Sequence, residues 1–188
     1  PQHNLDAIEG KLFGIGAEDP LIVAGSTHDP EEAILLRVFK TLKRDHPALR
    51  LLLAPRHLVR VGEVEKMVEA EGLPCYKRTF FDAQKPSPKG SVVLLDTLGE
   101  LSRLYAAATL VFVGGSLVPK GGQNMMEPGA MGRPILMGLS THNFREIAGR
   151  METAGGLVTV RDEAELTAAA RRILNDGATA RRMGEANR

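Results

Sequence analysis

The stretch LIVAGSTHDPEEAILLRVFKTL, residues 21–42, joins a short apolar run to a segment of helical period. The run Leu21–Gly25 is apolar at consecutive positions, which is typical of a strand buried on both faces. Over residues 30–46 the apolar side chains recur three or four positions apart, which predicts an amphipathic helix. Asp29 is placed to cap this helix, with Glu32 at capping-box spacing. A buried strand followed by a helix is the repeating unit of a parallel α/β sheet.

The same alternation continues to the end of the chain. Further strands are predicted at Arg50–Ala54, Cys75–Phe80, Val92–Leu95, Leu110–Val113, Pro134–Met137 and Leu157–Val160. Further helices are predicted at Glu63–Glu71, Leu98–Ala107, Met125–Met131, Asn143–Thr153, Glu163–Leu174 and over the last dozen residues. Six or seven short strands separated by helices predict an α/β protein with a doubly wound, Rossmann-like parallel sheet.

Composition excludes several classes of function. The 188 residues carry 24 Lys and Arg against 23 Asp and Glu, so the charge offers no case for binding nucleic acid. The single cysteine excludes a disulfide within the chain and a Cys-rich metal site. No apolar run reaches the roughly 18–20 residues of a membrane span, so we expect a soluble domain. P-loop, GxGxxG, HExxH and CxxC motifs are absent.

The domain boundaries follow from the first strand. Residues 1–20 precede it and are predicted to be a linker or the start of the domain, and residues 21–188 form one domain of ordinary size. Because the chain does not begin with Met, we expect it to be a segment of a longer protein.

Ligands of open parallel sheets bind at the carboxyl ends of the strands, so the residues there are the candidates for a site. Ser26 and Thr27 follow the first strand, where hydroxyls and a helix start suit an anion, although a simple turn explains them equally well. Pro55, Arg56 and His57 follow the second strand, and the guanidinium is suited to a phosphate or a carboxylate, or to a surface ion pair.

A glycine-rich segment follows the strand at Leu110–Val113. Gly114, Gly115 and Ser116 begin it, and a second Gly-Gly pair follows Lys120. Glycines let backbone amides approach a ligand closely. Asn124 and Glu127 come next at capping-box spacing. The Glu127 carboxylate is equally suited to two neighbouring hydroxyls of a sugar, so both interpretations stay open here.

Taken together, the motifs resemble those of one family, the 3-deoxy-D-manno-octulosonic acid (Kdo) transferases of lipopolysaccharide synthesis. The similarity runs from about Leu21 to about Gly184 and rests on the order and spacing of these motifs: AGST at 24–27, PRH at 55–57, DTLGEL at 96–101, YAAA at 105–108, FVGGSLV at 112–118, GGQN at 121–124, EP at 127–128 and NF at 143–144.

The resemblance implies the C-terminal, donor-binding domain of a GT-B glycosyltransferase, in which two Rossmann-like domains face each other across a cleft. Members transfer Kdo from CMP-Kdo to the lipid A precursor, with inversion and without a metal cofactor, at the cytoplasmic face of the bacterial inner membrane. The catalytic base is expected in the N-terminal acceptor domain, so no catalytic residue is assigned here. The isolated chain is expected to bind CMP or CMP-Kdo without transferring sugar.

Carried over residue by residue, the resemblance assigns Glu127 to the ribose and the segment of Arg56 to the cytidine. The glycine turn that begins at Gly114 is assigned to the phosphate. The remaining candidates for donor binding are Ser26, Thr27, Pro55, His57, Gly115, Ser116, Lys120 and Asn124. Charge developing on the leaving phosphate would be stabilised by backbone amides and by Arg56 or Lys120. Gln123 stands where the family usually has histidine, and glutamine cannot transfer a proton.

Two other functions fit the same sequence. One is the donor domain of another GT-B glycosyltransferase or of a nucleotide-sugar epimerase, which a preference for uridine or guanosine nucleotides would reveal. The other is a non-catalytic doubly wound binding domain, in which every motif is a cap or a turn and no nucleotide binds.

Overall fold

The computed structural model of the chain describes residues 19–81 and 87–188. The predicted linker therefore lies almost wholly outside the described residues. The strands are β1 (Leu21–Thr27), β2 (Arg50–Pro55), β3 (Cys75–Lys77), β4 (Val92–Leu94), β5 (Leu110–Val113), β6 (Ile135–Met137) and β7 (Leu157–Thr159). The helices are α1 (Glu31–Lys43), α2 (Val61–Ala70), α3 (Leu101–Leu104), α4 (Met126–Ala130), α5 (Arg145–Ala154), α6 (Glu163–Asn175) and α7 (Gly177–Ala186). Short 3-10 turns cover Leu58–Arg60, Arg78–Phe80 and Tyr105–Ala107.

The strands form one parallel sheet in the order β3-β4-β2-β1-β5-β6-β7. β1 lies at its centre, where Val23 pairs with Leu52 on one side and with Val111 on the other. From β1 the chain first builds the β2 side and then returns to build the β5 side. The winding direction therefore reverses between β1 and β5, which confirms the doubly wound prediction and marks the crevice where such sheets bind ligands.

Two hydrophobic cores cover the two faces of the sheet. Alternate residues of β1 enter opposite cores: Ile22 packs with residues of α1, α2 and α6, and Val23 packs with residues of α3 and α5. All four residues of β5 are at most 1% exposed. Burial on both faces explains why these strands read as continuous apolar runs.

Several predicted boundaries are wrong for local reasons. Asp29 does not cap α1, which begins at Glu31 without a side-chain cap. The strand that begins at Cys75 ends at Lys77 and continues as a 3-10 turn. The helix predicted from Leu98 begins only at Leu101, because Gly99 has a φ of +80°. The Asp96 carboxylate, just before this segment, accepts hydrogen bonds from the backbone amide and the hydroxyl of Thr79.

Candidate functional site

The loops after β1, β2 and β5 meet at the carboxyl edge of the sheet. The Arg56 amide donates to the Thr27 carbonyl at 2.9 Å, and the Gly114 amide donates to the Gly25 carbonyl at 2.8 Å. The rings of His28 and His57 meet edge to face, with their centroids 5.9 Å apart. The structure therefore brings together three groups of predicted site residues that are far apart in sequence.

Close backbone contact explains the first glycine after β5. A β-carbon on Gly114 would lie 2.3 Å from the Ser26 carbonyl oxygen, which is too close for two atoms that are not bonded to each other. Ser26 itself has a φ of +55°, a left-handed conformation that is uncommon outside glycine. The loops after β1 and β5 are thus packed backbone against backbone at the switch point of the sheet.

The amides of the glycine turn are already occupied. The buried carboxylate of Glu31 accepts hydrogen bonds from the amides of Gly115, Ser116 and Leu117 at 2.8, 3.0 and 3.0 Å, and from the His28 amide at 2.9 Å. The expectation that this turn offers its amides to a phosphate is therefore wrong. Sequence reasoning did not identify Glu31, and the available signal was a pair of acidic residues directly after a loop at the carboxyl edge.

A second buried carboxylate lies beside the first. Glu32 Oε1 accepts hydrogen bonds from Thr27 Oγ1 and from Arg60 Nη1, both at 2.8 Å. The Glu32 side chain is fully buried, and the partner guanidinium compensates for the desolvation of its charge. Thr27 was predicted to face a ligand, but its hydroxyl is buried and donates to Glu32. Its role is to hold α1 against the end of β1.

The Ser116 hydroxyl is also used inside the fold. It donates to the Val113 carbonyl at 2.6 Å and accepts from the Gly138 amide at 2.8 Å, which links the ends of β5 and β6. The side chain is 1% exposed. We therefore correct the prediction that this hydroxyl is open to the donor.

The loop that carries Lys120 is fixed from behind by Asn143. The Asn143 side-chain amide donates to the carbonyls of Lys120 and Gly122 at 2.9 and 3.3 Å, and its backbone amide donates to Gly121. The Lys120 side chain is exposed, and no ion pair holds it within residues 19–81 and 87–188. A cation is thus presented on a rigid loop at the carboxyl edge.

Asn124 and Glu127 form only half of the predicted capping box. Asn124 Oδ1 accepts from the amide of Met126, the first residue of α4, at 2.9 Å, although the N-cap position itself is Met125 and has no side-chain cap. The Glu127 carboxylate takes one hydrogen bond at 3.0 Å from the Asn124 side chain and none from the Asn124 backbone amide. Its side chain is exposed at the same edge. Burial of Tyr105, which lies against Gly25, raises the pKa of that phenol, and the negative charge of Glu127 adds to the effect.

The predicted residues divide into two groups. Arg56, His57, Lys120 and Glu127 expose their side chains at the carboxyl edge, and Ser26 and Asn124 are half-buried there. Pro55, Thr27, Gly114, Gly115 and Ser116 are buried and form the floor beneath them. The arrangement can bind a polar, anionic ligand through exposed cations and one exposed carboxylate.

Cys75 is not part of the site. It lies at the start of β3, the outermost strand on the β2 side of the sheet. Burial raises the pKa of its thiol to about 12, and the nearby charges of Glu65 and Glu69 add to the effect.

Within the described part of the chain, no three His, Cys, Asp or Glu side chains are grouped so that they could hold a metal ion. None of the described helices has both the length and the apolarity needed to cross a membrane.

Comparison with known proteins gives several relatives that share one name. The 3-deoxy-D-manno-octulosonic acid transferase of Aquifex aeolicus is 36% identical over 163 residues, which cover 87% of this chain and 44% of the relative. The enzyme of the same name from Haemophilus influenzae is 35% identical over 168 residues, which cover 89% of this chain and 39% of the relative. This chain thus spans less than half the length of these two relatives. No family model matches the chain.

The solved structures agree with these relatives. The C-terminal CMP-Kdo binding domain of WaaA from Acinetobacter baumannii superposes with a TM-score of 0.86 at 26% identity. The superposition covers 98% of this chain and 96% of that domain. A glycosyltransferase from Rickettsia africae superposes with a TM-score of 0.67 at 14% identity and shares the fold alone. The doubly wound sheet is thus one half of the GT-B architecture, and the chain belongs to the 3-deoxy-D-manno-octulosonic acid transferase family.

Proposed function

We propose that this chain is the donor-binding domain of a Kdo transferase and that it binds the CMP moiety of CMP-Kdo. The observation that carries this proposal is the superposition on a CMP-Kdo binding domain over nearly its whole length. The exposed side chains at the carboxyl edge fit such a ligand. Two hydroxyls of a ribose suit the Glu127 carboxylate, because each of its oxygens can accept a hydrogen bond.

The charge of the ligand fits the same edge. A phosphate diester and a sugar carboxylate make the donor anionic, and Arg56 and Lys120 are exposed cations there. Breaking the bond between phosphate and sugar loads negative charge onto the CMP leaving group, which a nearby cation stabilises. Because Glu31 occupies the amides of the glycine turn, this stabilisation falls to side chains.

The rest of the reaction is assigned to the longer protein. We propose that the full-length enzyme transfers Kdo to the lipid A precursor with inversion and without a metal cofactor. An N-terminal acceptor domain would supply the general base, and the enzyme would act at the cytoplasmic face of the inner membrane. This chain alone would then bind CMP without catalysing transfer, since an attacking hydroxyl needs a base.

Calorimetric titration of the chain with CMP, with UMP and GMP as controls, tests the proposal. We expect CMP to bind and the other two nucleotides to bind at least tenfold more weakly. If UMP or GMP bound more strongly than CMP, the chain would bind a nucleotide sugar of another class. Absence of binding by all three nucleotides would contradict a donor site that is complete in this domain.

A further inference from the structure

The loop after β2 is attached to the rest of the fold at its two ends. The four side chains at 56–59 are exposed, so burial does not fix the loop between them. At the first end, the Arg56 amide donates a hydrogen bond to the Thr27 carbonyl at 2.9 Å. At the other end, the Arg60 side chain turns inward and is only 17% exposed. The position of the loop therefore depends on the contacts of Arg60.

Carboxylates surround the Arg60 guanidinium. Its Nη1 donates to Glu32 Oε1 at 2.8 Å, its Nε donates to Glu63 Oε2 at 3.4 Å, and its Nη2 lies 4.0 Å from Asp29 Oδ1. The Glu32 side chain is fully buried, whereas those of Glu63 and Asp29 are 54% and 68% exposed. Because solvent and salt screen a buried pair least, the contact with Glu32 is the main attachment of this end of the loop.

The Glu32 carboxylate also contacts the first strand. The oxygen that accepts from Arg60 accepts a second hydrogen bond from Thr27 Oγ1 at 2.8 Å. Thr27 is the last residue of β1. Its carbonyl thus holds the first end of the loop, and its hydroxyl holds the second end through Glu32. Arg56 lies between two attachments to the same point of the sheet.

We propose that Arg60 is a positioning residue for nucleotide binding, which with Glu32 holds the loop so that Arg56 faces the ligand. This inference rests on the proposed function, in which Arg56 is one of the cations that bind the donor. Two arginines four positions apart then have different roles. Among the residues that the structure describes, none pairs with the Arg56 guanidinium, whereas carboxylates engage that of Arg60. A loop held in place before the ligand arrives loses less conformational entropy on binding.

The test separates the position of the loop from the stability of the fold. Arg60→Met leaves the buried Glu32 carboxylate without its cation, so it should lower both the melting temperature and the affinity for CMP. The double variant Glu32→Gln/Arg60→Met removes that unpaired charge and keeps an acceptor for Thr27. It also keeps the net charge of the site, since one positive and one negative group are lost together.

We expect the double variant to regain most of the melting temperature but not the affinity. If its loop occupies the binding position about a tenth of the time, CMP binds about tenfold more weakly than to the wild type. Titration followed by two-dimensional NMR measures this affinity even when it is weak. Arg60→Lys keeps the charge but not the planar guanidinium, so it should lie between the wild type and Arg60→Met in both measurements.

NMR relaxation of the backbone amides at 56–59 gives a second readout that needs no ligand. The order parameters should fall from about 0.85, the value of rigid backbone, to below about 0.6 in the double variant. An ion pair that contributed stability alone would leave these values unchanged, because the double variant remains folded.

Ile173→Ala is the control for lost stability. Ile173 is 1% exposed in the last turn of α6, and the next residue, Leu174, lines a cavity with Pro20, which precedes β1 at the amino edge of the sheet. We expect a lower melting temperature with unchanged affinity for CMP and unchanged order parameters at 56–59. Arg56→Ala should do the reverse, weakening CMP binding at an unchanged melting temperature.

The possible results separate this inference from the proposed function. If the wild type does not bind CMP, both fail. If the wild type and the double variant bind CMP equally well, or if the order parameters at 56–59 do not change, Arg60 contributes only stability, and the inference is overturned while the donor site stands. The same conclusion follows if Ile173→Ala weakens CMP binding as much as the double variant does. Should Arg60→Met fail to fold, the double variant and Arg60→Lys carry the comparison.

Discussion

The carboxylate of Glu31 accepts a hydrogen bond from the backbone amide of Gly115 at 2.8 Å, although 84 residues separate the two in sequence. The contact joins the start of α1 to the turn after β5, across the switch point of the sheet. A negative side chain in the first turn of a helix is also favoured by the helix dipole. Glu31 thus supplies the anion that a free glycine turn would otherwise bind.

Replacing Glu31 with alanine should lower the stability of the folded protein. The change leaves two buried and two partly buried amides without their acceptor, and we expect the free energy of unfolding to fall by about 3–5 kcal/mol. Glu31→Gln keeps one acceptor oxygen and should cost about 2 kcal/mol. Urea denaturation measures both values.

Glu163→Ala is the control for Glu31→Ala. Glu163 pairs with Arg37 at 2.8 Å, but the two side chains are 41% and 47% exposed, so the loss should be under about 1 kcal/mol. Equal losses for the two variants would mean that Glu31 does not hold the glycine turn in solution.

Glu127→Ala should weaken the binding of CMP and leave the fold intact. The carboxylate is exposed and takes one hydrogen bond, from Asn124, so its removal costs little stability. If it binds the ribose, the loss of affinity should be about 1–3 kcal/mol. Calorimetry and thermal unfolding of the same samples separate the two effects. A drop in the melting temperature with unchanged affinity would instead assign Glu127 to the start of α4.

Two glycine-to-alanine changes should have opposite effects on the stability of the fold. At Gly114 the new methyl group would lie 2.3 Å from the Ser26 carbonyl oxygen, and forcing the two loops apart should cost about 3 kcal/mol. Gly149 lies inside α5 with nothing within 4 Å of the new carbon, so alanine should stabilise the helix by about 0.5–1 kcal/mol. Thermal unfolding measures both changes, and a stabilised Gly114→Ala would disprove the close contact of the loops.

The Cys75 thiol should be unreactive in the folded protein. With its pKa raised to about 12 by burial, roughly a thousandfold less thiolate is present at pH 8 than for an exposed cysteine. Modification by a chromogenic disulfide should be slow in buffer and fast in urea. Because only the folded state raises this pKa, the stability of the fold should also decline as the pH rises above the ordinary value of 9.0. Rapid native modification would contradict the burial of Cys75.

The sequence alone was sufficient to predict the architecture of the sheet. Leu110–Val113 was predicted and observed with the same limits, because an apolar run between turn residues has only one stable location in an α/β sheet, its interior. The winding rule also predicted that Arg56, Lys120 and Glu127 lie at the carboxyl edge, and the structure shows their side chains exposed there.

Only the tertiary structure decided which polar groups are free at that edge. Thr27 and Ser116 looked available in sequence, yet their hydroxyls bind Glu32 and the Val113 carbonyl. The amides of the glycine turn looked available too, and Glu31 occupies them. The physical reason is that local spacing determines periodicity and turns, whereas a hydrogen-bond partner is fixed by which distant segments the folded chain brings within about 3 Å.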